Sequence, residues 1–371
     1  LRVLYLVPNL FGPPGGIARY CRLVCRSLLE TGAQVRVLSL ADAGGAPPQA
    51  WGADARLYQA NHGSKRGFVQ SALATALSLR PTIIMIGHPY FSALGWFLAR
   101  LINAHAVSFI YGIDVWQPLK PLRRWALQRS NRIISISRFT AQQAARANRL
   151  CPTKIRILHN CLDPQFECPA QSEKAPANLS MLTVARLSQA EQYKGHDYVI
   201  RAMPALLARF PELAYRIVGD GDDRARLEDL AAREGVARAV RFHGIVSEED
   251  LRRLYAETSL FIMPSRGEGF GFVFLEAMAQ GTPAIGGNLD ATPEVIADGE
   301  TGYLVNPTSV EAIVAAAAHL LGDEALRRRM GQAAMRRVGQ EFSFPQFRQR
   351  LVAYLAELDG MSDLQAGSGW R

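Results

Sequence analysis

Two carboxylates flank a glycine-rich turn in PSRGEGFGFVFLEAMAQGTPAIGG at 264–287: Glu268 within the turn and Glu276 beyond it, eight residues apart. The segment leaves an apolar run, LFIM at 260–263, that reads as a buried strand, and it enters a helix expected from about Phe272 to Ala279. Gly267, Gly269 and Gly271 let main-chain N–H groups approach an anion, and a helix start beyond them adds partial positive charge. That chemistry suits phosphate. A carboxylate in such a turn is repelled by phosphate unless it accepts hydrogen bonds from hydroxyls nearby. Glu268 and Glu276 therefore suit hydroxyl-bearing groups on either side of a diphosphate. The plainer reading has Glu268 capping the helix and Glu276 as a satisfied partner inside its domain.

Other reactive residue types are sparser. His88 follows the apolar run at 83–86 and serves either as a site histidine or as a satisfied loop histidine ahead of Pro89. Gly12, Gly15 and Gly16 precede a helical segment, but their spacing is not GxGxxG, and no acid closes the next strand at Leu38-Ser39-Leu40. A nicotinamide dinucleotide is not expected. Cys21, Cys25, Cys151, Cys161 and Cys168 are odd in number and form no CxxC pair, so neither a disulfide scaffold nor a zinc ribbon is expected and reduced thiols fit cytosol better.

These residues must be held by a layered scaffold. Apolar runs of strand length at 2–7, 34–40, 83–86, 107–110, 133–136 and 155–158 alternate with amphipathic helical segments such as 17–30. A Pro/Ala-rich, unpatterned stretch from Cys168 to Asn178 is the best linker, and the alternation then restarts. Strands are expected at 181–185, 215–218, 240–242 and 260–263, with helices at 196–209, 224–234 and 248–257. The pattern is α/β, with two doubly wound parallel-sheet, Rossmann-like domains and a cleft at the carboxyl ends of their sheets.

A chain of 371 residues, 49% apolar and 20% charged, suits two domains and excludes a disordered or fibrous protein. Residues 1–170 hold twenty Lys/Arg against six Asp/Glu, and the remainder twenty-two against twenty-seven. The halves therefore face different partners. Arg123, Arg124 and Arg129 surround Leu122, Trp125 and Leu127, so this helix either lies on an anionic membrane surface or packs Trp125 into its own domain. No finger, RNP or helix-turn-helix signature accompanies the arginines, so nucleic acid is not an expected partner. The uncharged stretch 81–99 is interrupted by Gly87-His88-Pro89-Tyr90 and reads as strand, loop and helix rather than a membrane span. No basic-then-apolar leader is recognisable, and the expected location is cytoplasmic, with a peripheral place on the inner face of the membrane.

The motif EGFGFVFLEAMAQGTPAI, with seven residues between its glutamates, resembles the signature of the family-4 retaining glycosyltransferases of GT-B fold. GPPGGIARY at 12–20, YGIDVW at 111–116, HNCLDPQF at 159–166, VARLSQAEQYKGHD at 184–197, IVGDGDDRARLE at 217–228, VRFHGIVSEEDL at 240–251 and ATPEVIADGETGYLVNP at 291–307 resemble other motifs of the family in order and spacing. Together they cover nearly the whole chain. The resemblance implies an acceptor-binding domain at 1–170, joined by a returning segment at 346–371, and a nucleotide-sugar domain at 171–345. It implies that Arg186 and Lys194 are paired cations on the diphosphate, where their plainer account is two surface cations on a loop. Gly269, Phe270, Gly271 and Phe272 would hold phosphate and sugar, with Glu268 on the sugar hydroxyls and Glu276 on the ribose. Phe242, His243, Gly244, Ile245 and Val246 would line the base pocket, Gly219 would belong to the GDG turn, and Gly15 and Gly16 would bring N–H groups to the diphosphate from the other domain.

The family often has His where this chain has Tyr111, which is a poor base at neutral pH; Asp114 and His88 remain the first-domain candidates. Asp220-Gly221-Asp222 spells DxD, a metal-binding pattern in a different glycosyltransferase fold, but it falls in the GDG turn and reads as turn chemistry. The expected activity is metal-independent, cofactor-free retaining transfer of a hexose. The donor is a GDP- or UDP-hexose, and the acceptor a glycan or a polyprenyl-diphosphate-linked sugar. Transfer to a soluble small molecule and silent nucleotide-sugar binding are the alternatives.

Overall fold

The computed structural model describes residues 1–12, 15–43, 57–166 and 178–359. The expected linker lies outside these residues except for Asn178. Contacts divide the chain into two compact units, Leu1–Asn160 with the segment from Phe344 onward, and Cys161–Ser343. The unit boundaries thus fall at 160/161 and 343/344, against expected positions at 170/171 and 345/346.

The first unit runs β1 (Arg2–Val7), α1 (Gly16–Glu30), β2 (Gln34–Ser39), β3 (Tyr58–Ala60), α2 (Lys65–Leu79), β4 (Ile83–Ile86), α3 (Ser92–Ile102), β5 (His105–Ile110), α4 (Pro121–Gln128), β6 (Arg132–Ser135), α5 (Arg138–Asn148) and β7 (Ile155–Ile157). Its sheet is parallel, in the order β3-β2-β1-β4-β5-β6-β7. RVLYLV and IIMI are apolar at successive positions because helices cover both sheet faces, and Val3 to Val7 and Ile83 to Ile86 are fully buried. The stretch 81–99 is β4, a 3-10 turn over Pro89–Phe91 and most of α3. Among the described residues no helix is long and apolar enough to cross a membrane.

The second unit runs β8 (Ser180–Val184), α6 (His196–Arg209), β9 (Ala214–Val218), α7 (Arg224–Arg233), β10 (Val240–Gly244), α8 (Glu248–Glu257), β11 (Leu260–Met263), α9 (Phe272–Ala279), β12 (Ala284–Gly287), β13 (Gly302–Val305), α10 (Val310–Gly322) and α11 (Glu324–Glu341). Its sheet is again parallel, in the order β10-β9-β8-β11-β12-β13. Ser64, Ser137, Ser247 and Ser309 accept the N–H three residues on, at the starts of α2, α5, α8 and α10. Such caps contribute about 1 kcal/mol each.

The last helix, α12 (Phe344–Asp359), belongs to the first unit. Phe347, Leu351 and Leu355 are buried, and Phe347 meets Tyr20 of α1 edge-on at 5.4 Å. The Tyr354 hydroxyl donates to the Ile157 carbonyl at 3.0 Å, and Glu357 pairs with Arg132 at 2.9 Å and Arg156 at 2.8 Å.

In each sheet the strand order reverses once, between β1 and β4 in the first unit and between β8 and β11 in the second. Loops leaving the carboxyl ends of the two strands at such a reversal run apart, so a crevice opens there. The loops after β8 and β11 are the ones that carry Arg186, Lys194 and Glu268.

Candidate functional site

Arg186 leaves the end of β8, and Lys194 ends a 3-10 segment, Gln189–Lys194, that leads into α6. Both cations face one carboxylate. Glu191 lies 3.0 Å from the Arg186 guanidinium through Oε1 and 3.5 Å from the Lys194 ammonium through Oε2. Arg186 is exposed, with 66% of its side chain open to solvent, whereas Lys194 keeps only 16%.

The DxD carboxylates fasten this loop. Asp222 accepts from the Gln189 N–H at 2.9 Å, and Asp220 accepts from Gly221. Asp223 stands at the N-cap position of α7 but bonds Arg226 rather than capping, and the same guanidinium takes Asp197 at the start of α6 in a bidentate pair of 2.6 and 2.9 Å. Partial burial pushes the Asp197 carboxyl up, but Arg226 more than offsets it and holds the group below the usual range. Gly219 and Gly221 have positive φ, and a Cβ on either would run into the carbonyl of Ala185 or Leu187. Glycine is what lets the β8 and β9 loops touch. Among the described residues no group of three or more His, Cys, Asp or Glu is placed to hold a metal ion.

The loop after β11 closes on the first. The Arg266 N–H donates to the Tyr193 carbonyl at 3.0 Å, and a Cβ on Gly267 would lie 2.7 Å from the Tyr193 ring. Glu268 is half-buried in this turn. Burial pushes its carboxyl up, Lys194 pulls it back, and Asp290 and Glu191 push it up again. Asp290 is buried and fixes the turn by accepting from the N–H of Glu268 at 2.7 Å and of Thr292 at 2.9 Å. Phe270 is fully buried against Phe342, ring centroids 5.6 Å apart, and anchors the stretch Gly269 to Phe272. Gly271 takes φ +95° at the N-cap of α9, whose first turn holds no acid. The arrangement is a helix start with no acid in its first turn, two cations and an acceptor carboxylate.

Glu276 lies in the second turn of α9, buried, and accepts from the Tyr255 hydroxyl of α8 at 2.8 Å. At the end of β10, Phe242 and Val246 are half-buried and His243 and Ile245 exposed, Ile245 to 83%. The Gly244 carbonyl accepts the Gly219 N–H at 2.8 Å, which ties this edge to the same loop cluster. The structure thus brings Arg186, Lys194, Glu268 and the glycine turn together. Sequence reasoning missed Glu191, Tyr193 and Asp290, although the first two lie between the paired cations.

In the first unit, Gly15 has extended backbone, precedes α1 and Gly16, and leaves open space where a Cβ would stand. No acid lies in the first turn of α1. His88 follows β4, and its Nδ1 accepts the Tyr90 N–H at 3.1 Å, which leaves Nε2 as the protonated, donating nitrogen. Burial and the nearby Arg123 hold it down to about 4, so it is neutral at pH 7 and donates rather than acting as a base there. Tyr111 is buried, donates to the Gly87 carbonyl at 2.9 Å, and has a hydroxyl pushed far up by burial, so it holds the β4 and β5 ends together. Asp114 accepts the Gly112 N–H at 2.6 Å, while its buried Oδ2 finds no hydrogen-bond partner. Burial pushes this carboxyl up to about 7, although the N–H groups of Gly112, Asp114 and Tyr111 pull it down.

His196, at the start of α6, is 4% exposed and held down to about 4, by burial first and by Lys194 second. Its folded-state value lies below that of the unfolded chain. As pH falls through about 6.5 the unfolded state binds a proton that the folded state refuses, so stability drops until about pH 4. Urea unfolding at pH 7 and pH 5 should show wild type losing about 2 kcal/mol more in total between the two pH values than His196→Gln. Equal losses in the two proteins would mean that His196 takes up its proton in the folded state as readily as in the unfolded one.

The two parallel-sheet units and the loop cluster at the second reversal make this a GT-B protein. The chain overlays the crystal structure of Anabaena HepE in complex with UDP with a TM-score of 0.80 at 18% identity, covering 96% of this chain and 100% of that one. A sucrose-phosphate synthase of Thermosynechococcus elongatus gives 0.79 at 20% identity, covering 98% and 100%. The chain belongs to the family-4 glycosyltransferases: residues 167–337 match the family described as Glycosyl transferases group 1, and residues 14–166 match Glycosyltransferase Family 4. Among curated relatives, it is 32% identical over 254 residues to the GDP-mannose-dependent alpha-(1-6)-phosphatidylinositol monomannoside mannosyltransferase of Mycolicibacterium smegmatis, covering 64% of this chain and 66% of that protein. It is 26% identical over 296 residues to a glycogen synthase of Mycobacterium tuberculosis, covering 76% and 70%. The aligned part thus spans about two thirds of these relatives' length.

Proposed function

We propose that the chain transfers a hexose from a GDP- or UDP-linked donor to a glycan or lipid-linked acceptor, with retention at the anomeric carbon and without a metal ion. One observation carries this reading: Arg186, Lys194, Glu268 and the Gly269–Gly271 turn converge where the strand order of the second unit reverses. Two cations offset charge building on the departing diphosphate, N–H groups at the start of α9 take phosphate oxygens, and Glu268 accepts sugar hydroxyls. Glu276, oriented by Tyr255, accepts from the ribose, and the base lies along 242–246. In the first unit, Asp114 offers its unpartnered oxygen to a sugar hydroxyl, and His88 donates from Nε2. The GDP-mannose in one relative's name and the UDP in the HepE complex support both bases as candidates. A thermal-shift panel of nucleoside diphosphates and their sugars tests the donor reading, because a ligand bound only by the folded state raises Tm. One base at millimolar concentration should give a shift of several degrees; no shift across the panel overturns the reading. The anomeric configuration of the product, read by NMR, tests retention.

The acceptor side is proposed to work at an anionic membrane surface. Between Asp54 and Asp163 the only acid is Asp114. Leu73, Leu77 and Val69 of α2, Phe97 and Leu101 of α3, and Leu122 and Trp125 of α4 are all exposed, and α3 packs against both neighbours. Arg124 and Arg149 line a groove of about 610 Å³ with Leu122, Trp125 and Gln128. Trp125 also meets Trp96 edge-on at 4.5 Å, while Arg123 lies on the Tyr90 ring at 4.2 Å and is less available to lipid. Reversing Arg124 and Arg149 to Glu should weaken sedimentation with anionic vesicles about tenfold or more, at roughly 1 kcal/mol per basic residue. Equal partitioning onto neutral and anionic vesicles would remove the proposal.

A further inference from the structure

Glu191 sits where a diphosphate is expected to sit. Its two oxygens are shared between the two cations, one each, at 3.0 Å from Arg186 and 3.5 Å from Lys194. The carboxylate is not a loose surface partner: its side chain is 18% exposed. Its backbone, at φ −115° and ψ 23°, breaks the 3-10 segment and donates to the Ser188 carbonyl at 2.8 Å. Arg186, by contrast, is two-thirds exposed. Glu268 and Asp290 add acidic groups in the same neighbourhood, since Lys194, Asp290 and Glu191 all act on the Glu268 carboxyl. The cluster therefore holds two cations among three carboxylates.

We infer that Glu191 is an internal competing anion that sets how strongly the site holds the nucleoside diphosphate product relative to the sugar-bearing donor. The inference rests on the donor reading above. A bound diphosphate must take at least one cation away from Glu191, and it remains within the reach of that carboxylate's field. When the sugar leaves, the freed terminal phosphate gains negative charge near neutral pH, so repulsion from Glu191 rises at the product stage. Glu191 then returns to both cations as the product departs. The carboxylate thus costs donor affinity a little and product affinity more, which keeps product from occupying the site.

The experiment compares wild type with Glu191→Gln, a change of charge with almost no change of size. Binding of GDP, UDP, their hexose esters and the bare nucleosides is read by calorimetry at two ionic strengths. For whichever base binds, the diphosphate should tighten roughly tenfold in the variant, the sugar ester about threefold, and the nucleoside not at all. Binding of the diphosphate should also become more salt-sensitive. Glu191→Asp, too short to span both cations, should fall between the two and serves if the glutamine variant folds poorly. Diphosphate binding that is unchanged or weaker in both variants overturns the inference, because Glu191 then only positions the cations. Failure of wild type to bind any nucleoside diphosphate is a different result, which sinks the donor reading itself.

Discussion

Lys194→Met should lower kcat/KM for sugar transfer on the order of 10³-fold and abolish the thermal shift given by nucleoside diphosphate. Lys194 keeps 16% of its side chain exposed, so its stem is packed and methionine preserves that packing while removing the charge. The ammonium cannot relocate easily. Gly195 beside it takes φ +85°, and a Cβ there would strike the Pro264 carbonyl, so the backbone carrying Lys194 is held against the β11 loop. A fixed cation in a partly dry site acts on the charge that develops on the leaving group, and loss of one such group elsewhere costs about 10²–10³ in rate. Here ground-state binding of the diphosphate is lost as well. Steady-state kinetics and thermal shift check both halves; a variant within tenfold of wild type on both would remove Lys194 from the site.

Glu268→Gln should separate the two functions of the turn. It leaves the helix start, Asp290 and both cations in place, so nucleoside diphosphate binding should persist within about threefold. Transfer should fall on the order of 10²–10³-fold, because a carboxylate accepting from sugar hydroxyls is replaced by an amide that accepts more weakly. The pH profile gives an independent check. Burial and the neighbouring acids raise the Glu268 carboxyl, so the acid limb of the wild-type profile should lie above the ordinary glutamate range and disappear in the variant. A variant with unchanged turnover would return Glu268 to a purely structural role in the loop.

Much of the scaffold was legible because buried parallel strands are apolar at every position. LFIM and IIMI have no other sensible place, and the helix over 248–257 carries a Ser247 cap and an acidic first turn. What escaped was set by tertiary approach. β3 is three residues long and only partly buried at the sheet edge. β12 reads AIGG, which has poor strand propensity; its glycines are needed because a Cβ on Gly287 would strike the Ser265 carbonyl and one on Gly286 the Thr292 side chain. In the site, the motif pointed to Arg186, Lys194 and Glu268. The partners of those groups are a matter of geometry: Asp290 comes from a different loop, and Glu191 is an ordinary acid until its two oxygens are seen between two cations.

Because α12 completes the first unit, that unit is discontinuous in the chain, and residues 161–343 form an insertion within it. Vectorial synthesis therefore finishes the second unit while the first still lacks its last helix. Until then Tyr20 and the hydrophobic surface that Phe347, Leu351 and Leu355 will cover stand open to water. A chain released at Ser343 would contain every residue of the inserted unit, yet the enclosing one would be unfinished and prone to aggregate.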